Sequence, residues 1–279
     1  DYTLPDLAHQ ELKAIQERLA PDFINVVFVN GVLNKTLSSS FPDALKVTEL
    51  SAVTEYEDSL DALNAAYATN SYHLELLSET SVDKPVNLTF AATENFKGII
   101  APRIELKIGK RSSLRFVESY LAVGDSEVFV NSSVKVKLEE SAKLIYVRLQ
   151  NDALTSLNMG RTDFSLASYA SLESLSMTLG AQWSRHTLNV SMQGENADAK
   201  IFGVYCASGT QHMDHTTSID HVVGLCNTEQ LYKGILDGKS RTVFNGKVLI
   251  QKNAQKANSA QLNNNLLLSS TAEADSKPN

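Results

Sequence analysis

The sequence predicts a mainly β fold wound as a β-solenoid, with a small α-rich segment ahead of it. Three observations carry that prediction. From about residue 71, strand-like runs succeed one another with little helix between them: HLELL, VNLTF, RIELKI, SLRFVESYLAV, EVFVNSSVKVKL and KLIYVRLQ. A similar corner recurs between runs, as GKRSSLRF, EESAKLIY, ASYASLES, GENADAKI, DGKSRTVF, KNAQKANS and STAEADSK. Past residue 70, the hairpin dipeptide Asn-Gly occurs only at 245–246. That disfavours a sandwich with a tight turn about every 8–12 residues.

The elements follow in order. DLAHQELKAIQERLA (6–20) spaces Leu7, Leu12, Ile15 and Leu19 along one face of a helix, and Pro21 stops it. FINVVFVNGVLNKTL (23–37) reads as two short strands about Asn30-Gly31, a pair suited to a type I′ turn. SLDALNAAYA (59–68) reads as a second short helix ending near Asn70. Residues 1–70 are therefore expected to form an N-terminal helical and hairpin domain, and residues 71–279 a β-helix core. In VKVKL (134–138), strict alternation turns Val134, Val136 and Leu138 inward and Lys135 and Lys137 to water. The first three corners centre on Ser113, Ala142 and Ser171, 29 residues apart, with Ala197 following 26 later. Small residues at fixed corners let the chain turn without crowding the next coil, and each coil buries its inner face on its neighbours.

Composition narrows the function. Of 279 residues, 43% are hydrophobic and 20% charged, the balance of a folded chain. A net charge of −7 with scattered Lys and Arg argues against nucleic acid as a partner. No apolar run approaches the roughly 18 residues that span a bilayer, so no membrane partner is expected. Cys206 and Cys226 are the only cysteines, with neither C-x-x-C spacing nor the density of a disulfide scaffold. Free thiols in a reducing compartment follow, with a cytoplasmic location expected, or a plastid interior in a plant or alga. The N-x-S/T matches at Asn34, Asn87, Asn131 and Asn189 then read as chance.

QHMDHTTSIDHVVGLC (211–226) concentrates three of the six histidines with two aspartates and a cysteine. Thr216, Thr217, Ile219, Val222 and Val223 bias the stretch toward a strand. His212 and Asp214 then share one face, and His215 and His221 the other. At about 3.3 Å per residue, His215 and His221 stand roughly 20 Å apart, too far for one ion. His212 and Asp214 supply two ligands and need others from elsewhere. Polar ladders facing water or a partner are the expected use. GILDGKS (234–240) has three residues between its glycines where a phosphate-binding loop needs four. No catalytic elbow, zinc-protease or dinucleotide motif occurs, so no catalytic or cofactor-binding residue is assigned. Trp183, the single tryptophan, suits core and function equally.

The later two-thirds resemble the SufB/SufD family of iron–sulfur cluster assembly proteins. The resemblance rests on RHTLNVSMQGENADAKIFGVY (185–205), QHMDHTTSIDH (211–221), LYKGILDGKSRTVFNGKVLI (231–250) and NAQKANSAQLNNNLLLSSTAEADSKP (253–278). Weaker similarity reaches VVFVNGVL (26–33) and DALNAAYAT (61–69). The LYKGIL…SRTVFNGK run resembles the SufD branch more than the SufB branch. The resemblance implies a right-handed parallel β-helix with a small N-terminal helical domain. It implies a non-enzymatic subunit of a SufBCD complex that pairs with a SufB-like paralogue and docks a SufC-like ATPase. No cofactor is then held stably, and a transient iron–sulfur cluster forms at the interface with SufB. The family continues past D-x-K-P with a strand carrying Cys-Ser-His-Gly and with C-terminal helices. This sequence ends at ADSKPN (274–279), so the family's functional histidine has no counterpart here. His212, His221 and Cys226 remain as the nearest candidate metal ligands.

Two other classes fit a β-helix. A polysaccharide-acting enzyme needs carboxylates converging on one groove, and Asp214 and Asp220 share a face but lie roughly 20 Å apart. A purely structural solenoid would polymerise end to end. Unpaired strand edges at an end coil also favour a homodimer of the isolated chain.

Overall fold

A computed structural model describes residues 9–50, 56–68 and 70–278. The chain begins with α1 (His9–Gln16), β1 (Ile24–Val29), β2 (Val32–Leu33), β3 (Leu45–Glu49) and α2 (Ser59–Tyr67). Then come β4 (Asn70–Leu76), β5 (Val86–Ala92), β6 (Lys97–Ile100), β7 (Pro102–Ile108), β8 (Ser113–Ala122), β9 (Glu127–Leu138) and β10 (Lys143–Asn151). The last nine strands are β11 (Leu157–Leu166), β12 (Ser171–Thr178), β13 (Trp183–Met192), β14 (Asp198–Ala207), β15 (His212–His221), β16 (Asn227–Leu236), β17 (Arg241–Ile250), β18 (Asn258–Leu267) and β19 (Glu273–Pro278).

From β7 on, strands alternate between two sheets and pair in parallel with the strands one turn away. One sheet runs β18-β16-β14-β12-β10-β8-β5-β1-β2 and the other β19-β17-β15-β13-β11-β9-β7-β4-β3. The result is a parallel β-solenoid of about seven turns. Strands before residue 70 extend the same sheets: β1 lies parallel to β5, and β3 antiparallel to β4. Asn30 and Gly31 both adopt positive φ, 52° and 82°, as a type I′ turn between β1 and β2 requires. Helix α1 ends at Gln16, short of the expected end at Ala20, and Leu7 lies outside the described residues. Ile15 and Leu19 still pack on Val27, Val29, Ala91 and Leu121, on the outer face of the first sheet.

In-register stacking brings like positions together. Phe28, Phe90 and Tyr120 form an aromatic column with ring centroids 5.0 and 5.4 Å apart, and Phe116 stacks on Tyr146 at 5.8 Å. Such pairs add about 0.5–1.5 kcal/mol each beyond area burial. Val134, Val136 and Leu138 are buried while Lys137 is exposed, as their alternation requires.

The corners show a shift from the expected register. The residues that stack are Ser112, Ala142, Ala170, Ala197 and Cys226, all buried, so Ser113 and Ser171 are each one place late. Each corner carbonyl accepts from the first strand N–H of the next turn: Lys143 on Ser112, Ser171 on Ala142, Asp198 on Ala170, Asn227 on Ala197 and Asn258 on Cys226. The residue ahead of each corner (Arg111, Ser141, Tyr169, Asn196, Leu225) has φ between 53° and 63°. That left-handed step swings the chain round, and the residue after it is left with room for a very small side chain. The turns absorb the differences in repeat length, so the even 29-residue spacing reflects an average.

Helix α2 is fastened to the second sheet by polar groups. Asp58 caps it by accepting from the Asp61 N–H at 2.9 Å. Asp61 reaches Arg103 at 2.8 Å and accepts from Ser133 at 2.8 Å, while Asn64 donates to the carbonyls of Pro102 and Asn131. Burial alone would raise the Asp61 carboxyl. The Arg103 side chain, the Glu57 N–H and the Ser133 hydroxyl together outweigh it and hold the group below the usual carboxylate range. A depressed carboxylate stabilises the fold fully above its unfolded value, about pH 4, and that stabilisation is lost as pH falls through the folded value. Amide exchange in α2, corrected for intrinsic rates, is therefore expected to quicken between pH 5 and 3; equal protection at both would contradict this anchoring.

Candidate functional site

The interior changes character along the axis. In the early turns, inward positions are apolar, including Leu74, Leu88, Phe90, Leu106 and Phe116. From β8 onward the same inward phase carries Glu118, Arg148, Gln150, Ser176, His186 and His215, all buried. Glu118 and Arg148 are cross-strand partners with side chains 2% exposed, and the Arg148 Nε lies 3.9 Å from the Glu118 carboxylate. At that distance the contact is a charge pair and not a hydrogen bond. The Glu118 carboxylate accepts from the hydroxyls of Tyr120 and Tyr146. Arg148 donates from Nη2 to Asn158 at 2.6 Å across the interior and lies 5.0 Å from the Tyr120 ring centroid. Gly160 faces this guanidinium: a Cβ there would stand 2.5 Å from Nη2.

One turn on, the His186 ring nitrogens contact Thr162 at 3.1 Å and Ser176 at 3.3 Å. Its cross-strand partner His215 stacks on Tyr205, 4.9 Å between centroids. Burial, and then the Arg148 charge, lower both imidazoles, His215 to about 3 and His186 well below the ordinary value, with His215 adding to the shift of His186. Burial followed by the Glu118 charge raises the Tyr120 and Tyr146 phenols well above theirs. Both histidines are thus neutral at pH 7, and each folded pKa lies below the unfolded one. The stability they contribute is complete above about pH 6.5 and declines as pH falls toward the folded values, by about 1.4 kcal/mol per pH unit for each ring. Urea midpoints measured from pH 7 to 5 are expected to fall accordingly; a flat profile would contradict neutral burial.

The three candidate ligands occupy different places. His212 opens β15 on the outer face, edge-on to Trp183 at 5.7 Å, and Trp183 is itself half exposed. His221 closes the same strand inside the solenoid, 3.1 Å from the Thr228 hydroxyl, with its pKa lowered by burial. Cys226 fills the next corner and donates to the Gly194 carbonyl at 3.3 Å, and burial raises its thiol. A raised thiol is the opposite of the thiolate that a metal takes. His215 and His221 do share a face, as alternation requires, but that face is the interior and not a ladder open to water. Among the described residues, no group of three His, Cys, Asp or Glu side chains is placed to hold a metal ion.

GILDGKS closes β16 and supplies the turn into β17, and it leads into no helix. Among the described residues, no helix is long and apolar enough to cross a membrane. Asn87 and Asn131 are buried, which removes them as glycan sites. On the outer face of the second sheet a groove of about 500 Å³ is lined by Glu57, Glu105, Asp163 and Asp220 among others. Each of these carboxylates has its own partner: Lys135, His73, Arg161 and Gln251 respectively.

The buried pair was missed in the sequence, although a signal for it exists. Alternation in SLRFVESYLA puts Glu118 in phase with Leu114 and Phe116, and in KLIYVRLQN it puts Arg148 in phase with Leu144 and Tyr146. Charges in the apolar phase of two adjacent repeats predict an internal pair.

Comparison with known proteins accords with this architecture. Residues 90–279 match the family model described as SUF system FeS cluster assembly, SufBD core domain. A SufBD family iron–sulfur cluster assembly protein of Synechocystis is 28% identical over 281 residues, covering 91% of this chain and 62% of the relative. The iron–sulfur cluster assembly protein SufD of Escherichia coli is 29% identical over 176 residues, 63% of this chain and 42% of the relative. The chloroplastic protein ABCI7 of Arabidopsis thaliana is 23% identical over 283 residues, 92% and 59%. The chain thus spans less than two thirds of the length of these relatives. With the core model matching residues 90–279, more than half of this chain, and the solenoid formed, the chain belongs to the SufBD core family of the SUF iron–sulfur cluster assembly system.

Proposed function

We propose that this chain is a non-enzymatic scaffold subunit of an iron–sulfur cluster assembly complex. It pairs with a SufB-like paralogue, docks a SufC-like ATPase, and presents a rigid wall at whose interface a transient cluster is built. The match of residues 90–279 to the SufBD core carries this reading. Of the three candidate ligands only His212 lies on the outer face, where a partner chain could add ligands to it, while His221 and Cys226 are buried. The groove on the second sheet favours glycan chemistry less, because its carboxylates are individually paired.

Affinity purification of the tagged chain from the cell that makes it tests the proposal. SufB-like and SufC-like proteins are expected to co-elute in fixed proportion; their absence would refute it. In the same complex, Cys226→Ser is expected to leave iron and acid-labile sulfide unchanged, since other corners hold Ser or Ala. Loss of both from an intact complex would make Cys226 a ligand.

A further inference from the structure

We infer that the polar interior between Arg148 and Tyr232 is a binding site for ordered water, with one molecule or a small cluster held on the ring of His215. His215 is 1% exposed, and neither ring nitrogen has a hydrogen-bond partner among the described residues. Its neighbour His186, by contrast, is within reach of hydroxyls at both nitrogens. Tyr205 and Tyr232 lie 4.9 and 5.6 Å from the His215 ring, so protein covers it on two sides. The same turns carry further orphaned polar atoms, the Tyr232 hydroxyl and the Gln230 Nε2. Gln230 is itself fixed, because its Oε1 accepts from Thr217, two residues from His215, at 2.8 Å. Toward Arg148, the hydroxyls of Ser174 and Ser184 and the Arg148 Nε are orphaned as well.

A buried imidazole with neither nitrogen paired forfeits its whole hydration, and polar interiors recover that cost by holding water on about 2–4 protein groups. Here donors and acceptors are mixed: hydroxyls and the imidazole offer both, and Gln230 Nε2 and Arg148 Nε donate. Such a mixture suits water, which both gives and accepts hydrogen bonds. A small anion is the alternative guest, but Glu118, 3.9 Å from Arg148, already balances the one interior cation of this region. The neutral guest fits that charge balance better. This site is independent of the assembly role and stands or falls separately.

A crystal structure of the chain at a resolution that shows bound water is the test, with one crystal soaked in bromide. An ordered water within about 3 Å of a His215 ring nitrogen, with no bromide signal in the interior, is expected. In solution, oxygen-17 relaxation dispersion of folded His215→Phe is expected to show at least one fewer long-lived water than the parent. If that variant does not fold, His215→Gln, which keeps polar atoms, is expected to retain the water. Ring nitrogens touching only protein atoms in the crystal would overturn the inference, as would bromide beside Arg148 or an unchanged water count in His215→Phe.

Discussion

Arg148→Met is expected to destabilise the solenoid by about 3–5 kcal/mol, because it leaves the Glu118 carboxylate buried without its cation. The two tyrosine hydroxyls that Glu118 accepts from remain, but they disperse the charge without cancelling it. The double variant Glu118→Gln, Arg148→Met removes both charges and is expected to recover most of the loss. Methionine has the flexibility to fill the space that Arg148 vacates beside Gly160. Urea unfolding of the parent, both single variants and the double variant gives the coupling directly. Additive losses in the double variant would mean that the two groups do not act as a pair.

Gly194→Ala is expected to cost about 3 kcal/mol or more, for a reason of stacking and not of backbone freedom. A Cβ on Gly194 would stand 1.9 Å from the Ser168 nitrogen and 2.4 Å from the Ala167 carbonyl carbon, main-chain atoms of the turn beneath. Backbone cannot swing aside as a side chain can, so two coils must separate locally. Gly209→Ala is the control. Its φ is +61°, yet nothing lies within 4 Å of the added carbon. Only the left-handed conformation is penalised there, about 1–2 kcal/mol. Thermal midpoints that rank Gly194→Ala as the milder change would contradict the stacking geometry.

These two sites show which features of the fold the sequence discloses. Alternation is local, so the inward phase of VKVKL, and which histidines of 211–226 share a face, could be read from side-chain type alone. The Asn30-Gly31 turn was equally legible, because left-handed φ at two successive residues selects a narrow set of dipeptides. Corner register was not. It depends on which residue follows the left-handed step, and Arg111, Tyr169 and Leu225 take that step without being residues that favour it. Trp183 stands half exposed at a strand's first position, where alternation has little hold on it.

For the candidate site, the sequence identified residue types but not their surroundings. His215 and His221 were placed on a common face, but whether that face meets water depends on whether another coil lies opposite, which is a long-range fact. Cys226 reads as chemistry by residue type, and its corner position follows only from its register with Ala197 one turn away. Glu118 and Arg148 are ordinary surface residues by type; alternation puts each in the apolar phase, and their register across adjacent turns makes them a buried couple.

The scaffold reading turns on where a cluster is built. Reconstitution with ferrous iron and sulfide, under reducing anaerobic conditions, of this chain alone and of its complex with SufB-like and SufC-like partners tests it most directly. Iron and acid-labile sulfide are expected to accumulate in stoichiometric amounts only in the complex, with the lone chain folded and cluster-free. A stable, stoichiometric cluster on the lone chain would contradict it.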